Sequence, residues 1–489
     1  MCGIAGILSL DMAPLKSLDQ SLTVMNRIQK HRGPDDEGIW KNPSESVGLA
    51  HVRLSIIDTS ESGHQPMVGN SGNVVVFNGE VYNYVELWHE IGSDYLFRTK
   101  SDTETILAAY EKWGIECVEH LKGMFAFALW DERKKIMLCA RDRFGIKPFY
   151  YVVNEGCFFF ASEIKALLPF IPDLKIDRNA LKDYLSFQFT LGSKTLFDGV
   201  HQLLPGHLLK IADSRIEIRK YWEIYYNLDW DHTEKYFIEK IDSLMRDSVK
   251  YHLRSDVPVG AYVSGGRDSG IIAALSSHHT AKPFLGFTGK FTCFPGYDES
   301  SYARDLATLY GMELYEADIT ASDFADYIRK VIFHLDTPVA GPGSFPQYMV
   351  SKLAAKHRKV VLGGQGGDEI FGGYARYLIA YFEQCIKGAI EGTLRGGNFV
   401  VTYESIIPNL MTLREYKPLL RQFWHDGLFD SLDKRYFKLV NRGDEMAEEI
   451  NPDIMGDYQP FEVFHNIFYA NNVEHESYFD LMTHFDFKT

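Results

Sequence analysis

Over the first 160 residues, apolar side chains fall in short runs separated by turn residues. The runs Asn73 to Asn78, Gly123 to Trp130 and Cys157 to Ala161 predict strands in an antiparallel, β-rich layer with a few helices. A turn-rich stretch follows from Leu191 to Gly206, and a last hairpin-like piece reaches Trp222. After about residue 235 the texture changes, with longer helical patterns alternating with short buried strands. These strands are expected at Val259 to Val263, Pro283 to Phe287 and Val360 to Leu362. Strands alternating with helices predict a parallel, doubly wound sheet, whose ligands sit at the carboxyl ends of its strands. The expectation is two domains, 1–222 and 223–489.

The chain has 489 residues, which exceeds a typical single domain. A net charge of −15 argues against a nucleic-acid partner held by phosphate neutralisation. No run of about 18 apolar residues suggests a membrane span, and the start lacks the basic region of a signal peptide. The six cysteines are scattered with no CxxC pair, so neither a zinc site nor a disulfide framework is expected. A reducing cytoplasm is the expected setting.

Cys2 would become the first residue if Met1 were trimmed. A free α-amine has a pKa near 8, so it can serve as base for the neighbouring thiol. The plain alternative is a small buried thiol near a terminus. Asn78-Gly79-Glu80 follows the strand expected over Val74 to Phe77. An amide side chain next to a glycine N–H suits an oxyanion hole, although Asn-Gly is equally a hairpin turn. Arg53 and Asp102 can grip the α-carboxylate and α-ammonium of an amino acid, or form an ordinary surface pair.

A second constellation lies at Ser264-Gly265-Gly266-Arg267-Asp268-Ser269, between the strand ending at Val263 and the helical pattern Ile271 to Leu275. Strand, glycine turn and helix aim backbone N–H groups and a helix dipole at phosphate. Asp268 would repel phosphate without a cation between them, which suggests Mg²⁺. The loop lacks the Gly-Lys-Ser/Thr ending of a Walker loop. A glycine-rich stretch, Gly363-Gly364-Gln365-Gly366-Gly367-Asp368-Glu369, ends the strand Val360 to Leu362.

The segments CGIAGIL, HRGPDDEG, LAHVRLSIID, HQPM, FNGEVYNY, SDTE, GMFAFALWD and ARDRFGIKPFYY resemble the glutaminase domain of class II, N-terminal nucleophile glutamine amidotransferases. The subfamily resembled is the glutamine-hydrolysing asparagine synthetase type. The SGGxDS loop and the GGQGGDE stretch resemble its ATP-pyrophosphatase half, and the match, which includes TLFDGVHQLLPGH and YDESSYA, runs from residue 2 to the last residue. The resemblance implies an αββα glutaminase sandwich followed by a doubly wound ATP-pyrophosphatase domain. It implies Cys2 as nucleophile, Asn78 and Gly79 as oxyanion hole, and Arg53, Asn78, Glu80 and Asp102 as glutamine ligands. For ATP it implies Val263, Ser264, Gly265, Gly266, Asp268, Ser269, Gly289, Gly363 and Gly364, with Asp268 and Asp368 holding Mg²⁺. The substrates implied are glutamine, aspartate and ATP, with no nucleic-acid or membrane partner. The implied reaction passes ammonia from glutamine to β-aspartyl-AMP.

Three departures from the family pattern stand out. Arg267 replaces a usually apolar residue. Gln365 replaces a glutamate, and an amide is not a base near neutral pH. The sequence ends at His484 to Thr489, ahead of an expected segment with aspartate, arginine and lysine. The expectation is a truncated gene, a second chain supplying that segment, or a degenerate synthetase half; a homodimer is the other assembly expected. The alternative functions are an amidotransferase for another carboxylate, a bare glutaminase, and a non-catalytic subunit.

Overall fold

The computed structural model describes residues 1–227, 229–280, 283–293, 296, 298–338, 343–391, 420–421, 423–425, 427, 429–443, 456–470 and 478–488. The chain divides into two compact units. The first holds Met1–Lys175, Phe197–Glu223 and Asp229–Gly364, and the second holds Ile176–Leu196, Ile224–Leu228 and Gln365–Thr489.

The first unit opens with two stacked six-stranded sheets. One sheet runs, in spatial order, His201–Gln202, Tyr150–Asn154, Cys157–Ala161, Gly3–Ser9, Val47–Arg53 and Asp36–Lys41. The other runs Arg215–Lys220, His207–Ala212, Ile136–Arg141, Gly123–Asp131, Val74–Val81 and Met67–Val68. Every pairing in both is antiparallel. The period-2 alternation of strands gives each sheet two apolar faces. Ile4 and Leu8 meet Val74, Val76, Ala126 and Ala128 between the sheets. Ala5 and Ile7 face outward to Leu18, Leu22 and Met25 of the helix Leu18–Gln29. Val75 and Phe77 pack against Ile106 and Leu107 of the helix Asp102–Trp113 on the far side. The result is a four-layer αββα sandwich.

The same unit carries a four-stranded parallel sheet in the order Glu313–Asp318, Leu285–Lys290, Val259–Tyr262, Val360–Leu362. One face packs Ala261 and Val263 on Ala273, Ala303 and Ala307. The other packs Leu285 and Phe287 on Phe345, Val350 and Ala354. Helices on both faces make it doubly wound. The strand expected from Pro283 begins instead at Leu285 and runs on to Lys290. Pro283 has no N–H to give a ladder.

The second unit is helical among its described residues, with an aromatic core of Phe187, Tyr436, Phe464, Phe468 and Phe485. Its interior also holds one bidentate ion pair, Arg435 to Glu383 at 2.8 and 2.6 Å, with both side chains almost fully buried. No helix among the described residues is long and apolar enough to cross a membrane.

Candidate active site

Cys2 immediately precedes the strand Gly3–Ser9, where Gly3 pairs with Val52. That register sets Cys2 beside Arg53 and Leu54. The Leu54 N–H points at Cys2 Sγ from 3.4 Å, and the thiol lies 3.7 Å from the Leu54 carbonyl. Arg32 Nε donates to the Cys2 carbonyl at 2.9 Å. A cleft opens here, lined by Cys2, Arg53, Gly79, Glu80 and Asp102 among others.

Asn78, Gly79 and Glu80 do not follow the strand; they lie inside it, since it extends from Val74 to Val81. Gly79 is the reason an Asn-Gly pair sits in a ladder rather than a turn. Its φ is +154°, and a Cβ there would fall 2.1 Å from the Met124 carbonyl oxygen on the partner strand. Only glycine permits that approach. The Asn78 side chain is fully buried, and neither its amide nitrogen nor its amide oxygen has a hydrogen-bond partner. Buried amides are rarely left so, because each unpaired group costs about 1–3 kcal/mol. This amide is therefore poised for something that arrives.

The charges around the cleft are shifted by burial. Burial pushes the Met1 α-amine down to about 5, so it is a neutral base at pH 7. Burial pushes the Cys2 thiol up, and the adjacent amine partly offsets this. Glu80 is held well above the usual carboxylate range, first by burial and then by Asp102. Asp102 is raised by burial, although the Val81 N–H donates to it at 2.9 Å. One Glu80 carboxylate oxygen has no partner. Two buried carboxyls with a free oxygen are a site for a cation such as an α-ammonium.

Arg53 turns its terminal nitrogens to the carbonyls of Ser60 at 2.9 Å, Ile57 at 3.4 Å, and Asp58. It thus shapes the cleft wall besides lining it. The 56–58 loop is itself held from the second half of the chain. The Asp256 carboxylate accepts from the Asp58 N–H at 2.7 Å, and the Asp256 N–H donates to the Ile56 carbonyl at 3.1 Å.

The second constellation is built differently. Gly265 has φ +92°, and a Cβ there would lie 2.8 Å from the Glu299 carbonyl oxygen. The loop is closed by hydroxyls, with the Ser264 N–H donating to Ser269 Oγ at 3.1 Å, the two hydroxyls 2.8 Å apart, and the Gly266 N–H donating to Ser264 Oγ at 3.3 Å. The helix Arg267–His279 starts at once, with Asp268 in its first turn. Gly364 packs so closely that a Cβ would lie 2.5 Å from the Ser269 nitrogen and 2.9 Å from Asp268 Cβ. The structure thus brings the SGGxDS loop and Gly363-Gly364 together. Val263 and Gly289 lie at the carboxyl ends of neighbouring strands, and the Val263 N–H is already bonded to Phe287.

Asp368 and Gln365 belong to the second unit. Asp368 opens the short helix Gly367–Phe371, where a Cβ on Gly373 would fall 2.0 Å from its carboxylate. Among the described residues, no group of three or more His, Cys, Asp or Glu clusters as a metal site. Asp268 and the hydroxyls of Ser264 and Ser269 are oxygen groups of the kind Mg²⁺ takes as ligands.

A family model described as a glutamine amidotransferase domain matches residues 1–222, and one described as asparagine synthase matches residues 240–489. The chain is 37% identical over 412 residues to a putative glutamine-hydrolysing asparagine synthetase of Methanocaldococcus jannaschii, covering 78% of this chain and 77% of that one. The chain belongs to the asparagine synthetase family.

Another asparagine synthetase relative, from Bacillus subtilis, is 37% identical over 77% of this chain and 59% of its own length. An amidase of Gibberella zeae is 32% identical over 76% of this chain and 59% of its own.

Two residues of this family member carry no role in the sequence reading. Lys147 is 5% exposed, its ammonium touches the Met1 sulfur at 3.2 Å, and burial pushes it down to about 8. Arg32 holds the Cys2 backbone, and its Nη2 is buried without a partner. Both sit in quoted family segments, FGIKP and HRGP, which was the available signal.

Proposed function

We propose that this chain is a glutamine-dependent asparagine synthetase, with hydrolysis carried by residues 1–222 and synthesis by 223–489. The observation that carries the reading is the convergence on one cleft of the Cys2 thiol and a raised carboxyl pair, with the unpartnered Asn78 amide in the strand that lines it. The α-amine next to Cys2 takes the thiol proton, whether it belongs to Met1 or, after trimming, to Cys2 itself. Sγ then attacks the side-chain carbonyl of glutamine. Negative charge on that oxygen is met by the Asn78 amide and the Gly79 N–H. The C–N bond breaks, ammonia leaves with the proton, and water releases glutamate from the thioester. Glu80 and Asp102 hold the substrate ammonium, and Arg53 its carboxylate.

In the second half, the β-carboxylate of aspartate attacks the α-phosphorus of ATP and pyrophosphate leaves. Ammonia then displaces AMP to give asparagine. Ser264 to Ser269 supply hydroxyl and backbone donors to the phosphates. Asp268 and Asp368 are the proposed Mg²⁺ carboxylates, and the ion would neutralise phosphate charge. The metabolites required place the reaction in the cytoplasm. The test incubates the purified chain with glutamine, aspartate and Mg-ATP and measures glutamate, asparagine and pyrophosphate separately. Equal amounts of all three are expected. Glutamate without pyrophosphate would reduce the chain to a glutaminase, and no glutamate at all would overturn the reading.

A further inference from the structure

An ion-pair chain runs from the nucleophile's backbone into the parallel-sheet half of the first unit. Arg32, which holds the Cys2 carbonyl through Nε, donates through Nη1 to Glu163 Oε1 at 3.0 Å. His31 Nε2 lies 2.9 Å from the same oxygen. Lys165 Nζ donates to the other oxygen of Glu163 at 2.7 Å and reaches Asp336 Oδ1 at 2.8 Å. Asp336 Oδ2 accepts from the Ile164 N–H at 2.7 Å. The Arg32, Glu163, Lys165 and Asp336 side chains are at most 10% exposed. Asp336 caps the helix Ala321–Leu335 at φ +61°, a left-handed conformation that non-glycine residues adopt sparingly. Phe333 and His334 of the same helix end press on the chain, with Lys165 4.8 Å from the Phe333 ring and His31 4.7 Å from the His334 ring.

A surface ion pair contributes little, but each of these groups is desolvated and shares its partner with the next. Moving Asp336 alters what Lys165 balances, which alters Glu163 and then the orientation of Arg32 on Cys2. A misplacement of about 1 Å at reacting groups can cost about 10²-fold in rate. We propose that Arg32, Glu163, Lys165 and Asp336 form a positioning relay through which the end of the helix Ala321–Leu335 sets how Cys2 is held. The relay rests on the reading of Cys2 as nucleophile and adds to it a route by which the asparagine synthase half controls glutamine hydrolysis.

The test uses the full chain with glutamine alone and two readouts: steady-state glutamate release, and the rate at which iodoacetamide alkylates Cys2, followed by mass spectrometry of the N-terminal peptide. Asp336→Asn is expected to lower kcat about 3- to 10-fold with KM changed less than about twofold, and to slow or speed Cys2 alkylation by a similar factor. Asp336→Glu should recover most of the loss. In an Arg32→Lys background, Asp336→Asn should cost nothing further, because the relay is already cut. If Asp336→Asn does not fold, Lys165→Arg is read in the same way. Unchanged kcat and alkylation in the folded variant, or losses that multiply in the double variant, would overturn the relay. A wild-type chain that releases no glutamate would remove the glutaminase reading, and the alkylation rates would then decide the relay alone.

Discussion

The two candidate sites of the first unit hold their donors in opposite ways. Around Cys2 the working groups are buried side chains, several of them unpartnered or shifted by desolvation. At Ser264 to Ser269 the donors are backbone N–H groups and hydroxyls, partly exposed and already bonded to one another. The difference follows from the chemistry each site would perform. A covalent attack needs a fixed nucleophile and fixed donors in a dry setting, so the protein stores unsatisfied polarity there. A polyphosphate brings its own charge and its own cation, so the protein need only offer a loop and a helix end.

That contrast predicts a graded series. The largest effect belongs to Cys2→Ala, which should cut glutamate release roughly 10⁴-fold or more while ammonia-supported pyrophosphate release persists. Loss of both activities together would mean that the two sites are not separable. Next is Asn78→Ala, expected to lower glutaminase kcat about 10²-fold with a smaller change in KM. A change confined to KM would make Asn78 a substrate ligand instead of an oxyanion donor.

Gly265→Ala should come third. A left-handed φ and the 2.8 Å approach to Glu299 would strain the loop, at a cost of about 1–2 kcal/mol or roughly tenfold in KM for ATP, with glutaminase unchanged. The pH dependence of glutamine binding should be several-fold. Burial raises Asp102 to about 7 and holds Glu80 well above the ordinary carboxylate range near 4, so the pair takes up protons before an ordinary carboxylate would. The α-ammonium selects the ionised pair, so KM should rise first on acidification, with kcat at saturation falling only nearer pH 5, where the α-amine base takes up a proton. A KM flat between neutral pH and that range would remove the carboxyl pair from the substrate site. The smallest effect is expected for Ser264→Ala, about threefold in KM for ATP, since the loop loses one hydroxyl of a redundant set.

Much of this contrast was legible in the sequence, for reasons that differ by element. The unbroken apolar run Val74, Val75, Val76 and Phe77 reads directly as a strand buried on both faces, and both faces are filled as that run requires. The glycine loop was legible because its function lies in consecutive residues. The end of the strand was not, because what keeps Asn78-Gly79 from turning is the Met124 carbonyl, 45 positions away. Glu163, Lys165 and Asp336 were silent for the same reason. Each is an ordinary charged residue in the sequence, and only the fold brings them within bonding distance.

The hold of Asp256 on the backbone of Ile56 and Asp58 changes how genetic variation in this chain should be interpreted. By position, residue 256 would be filed with ATP use and asparagine formation. By connection, it braces the loop whose carbonyls hold the Arg53 guanidinium, so a person cataloguing variants should sort Asp256→Ala with glutamine-uptake defects. The same logic applies to dissection by cloning. A fragment stopping near Trp222 would keep Cys2, Arg53, Asn78, Glu80 and Asp102 and still have lost part of what holds the cleft in shape.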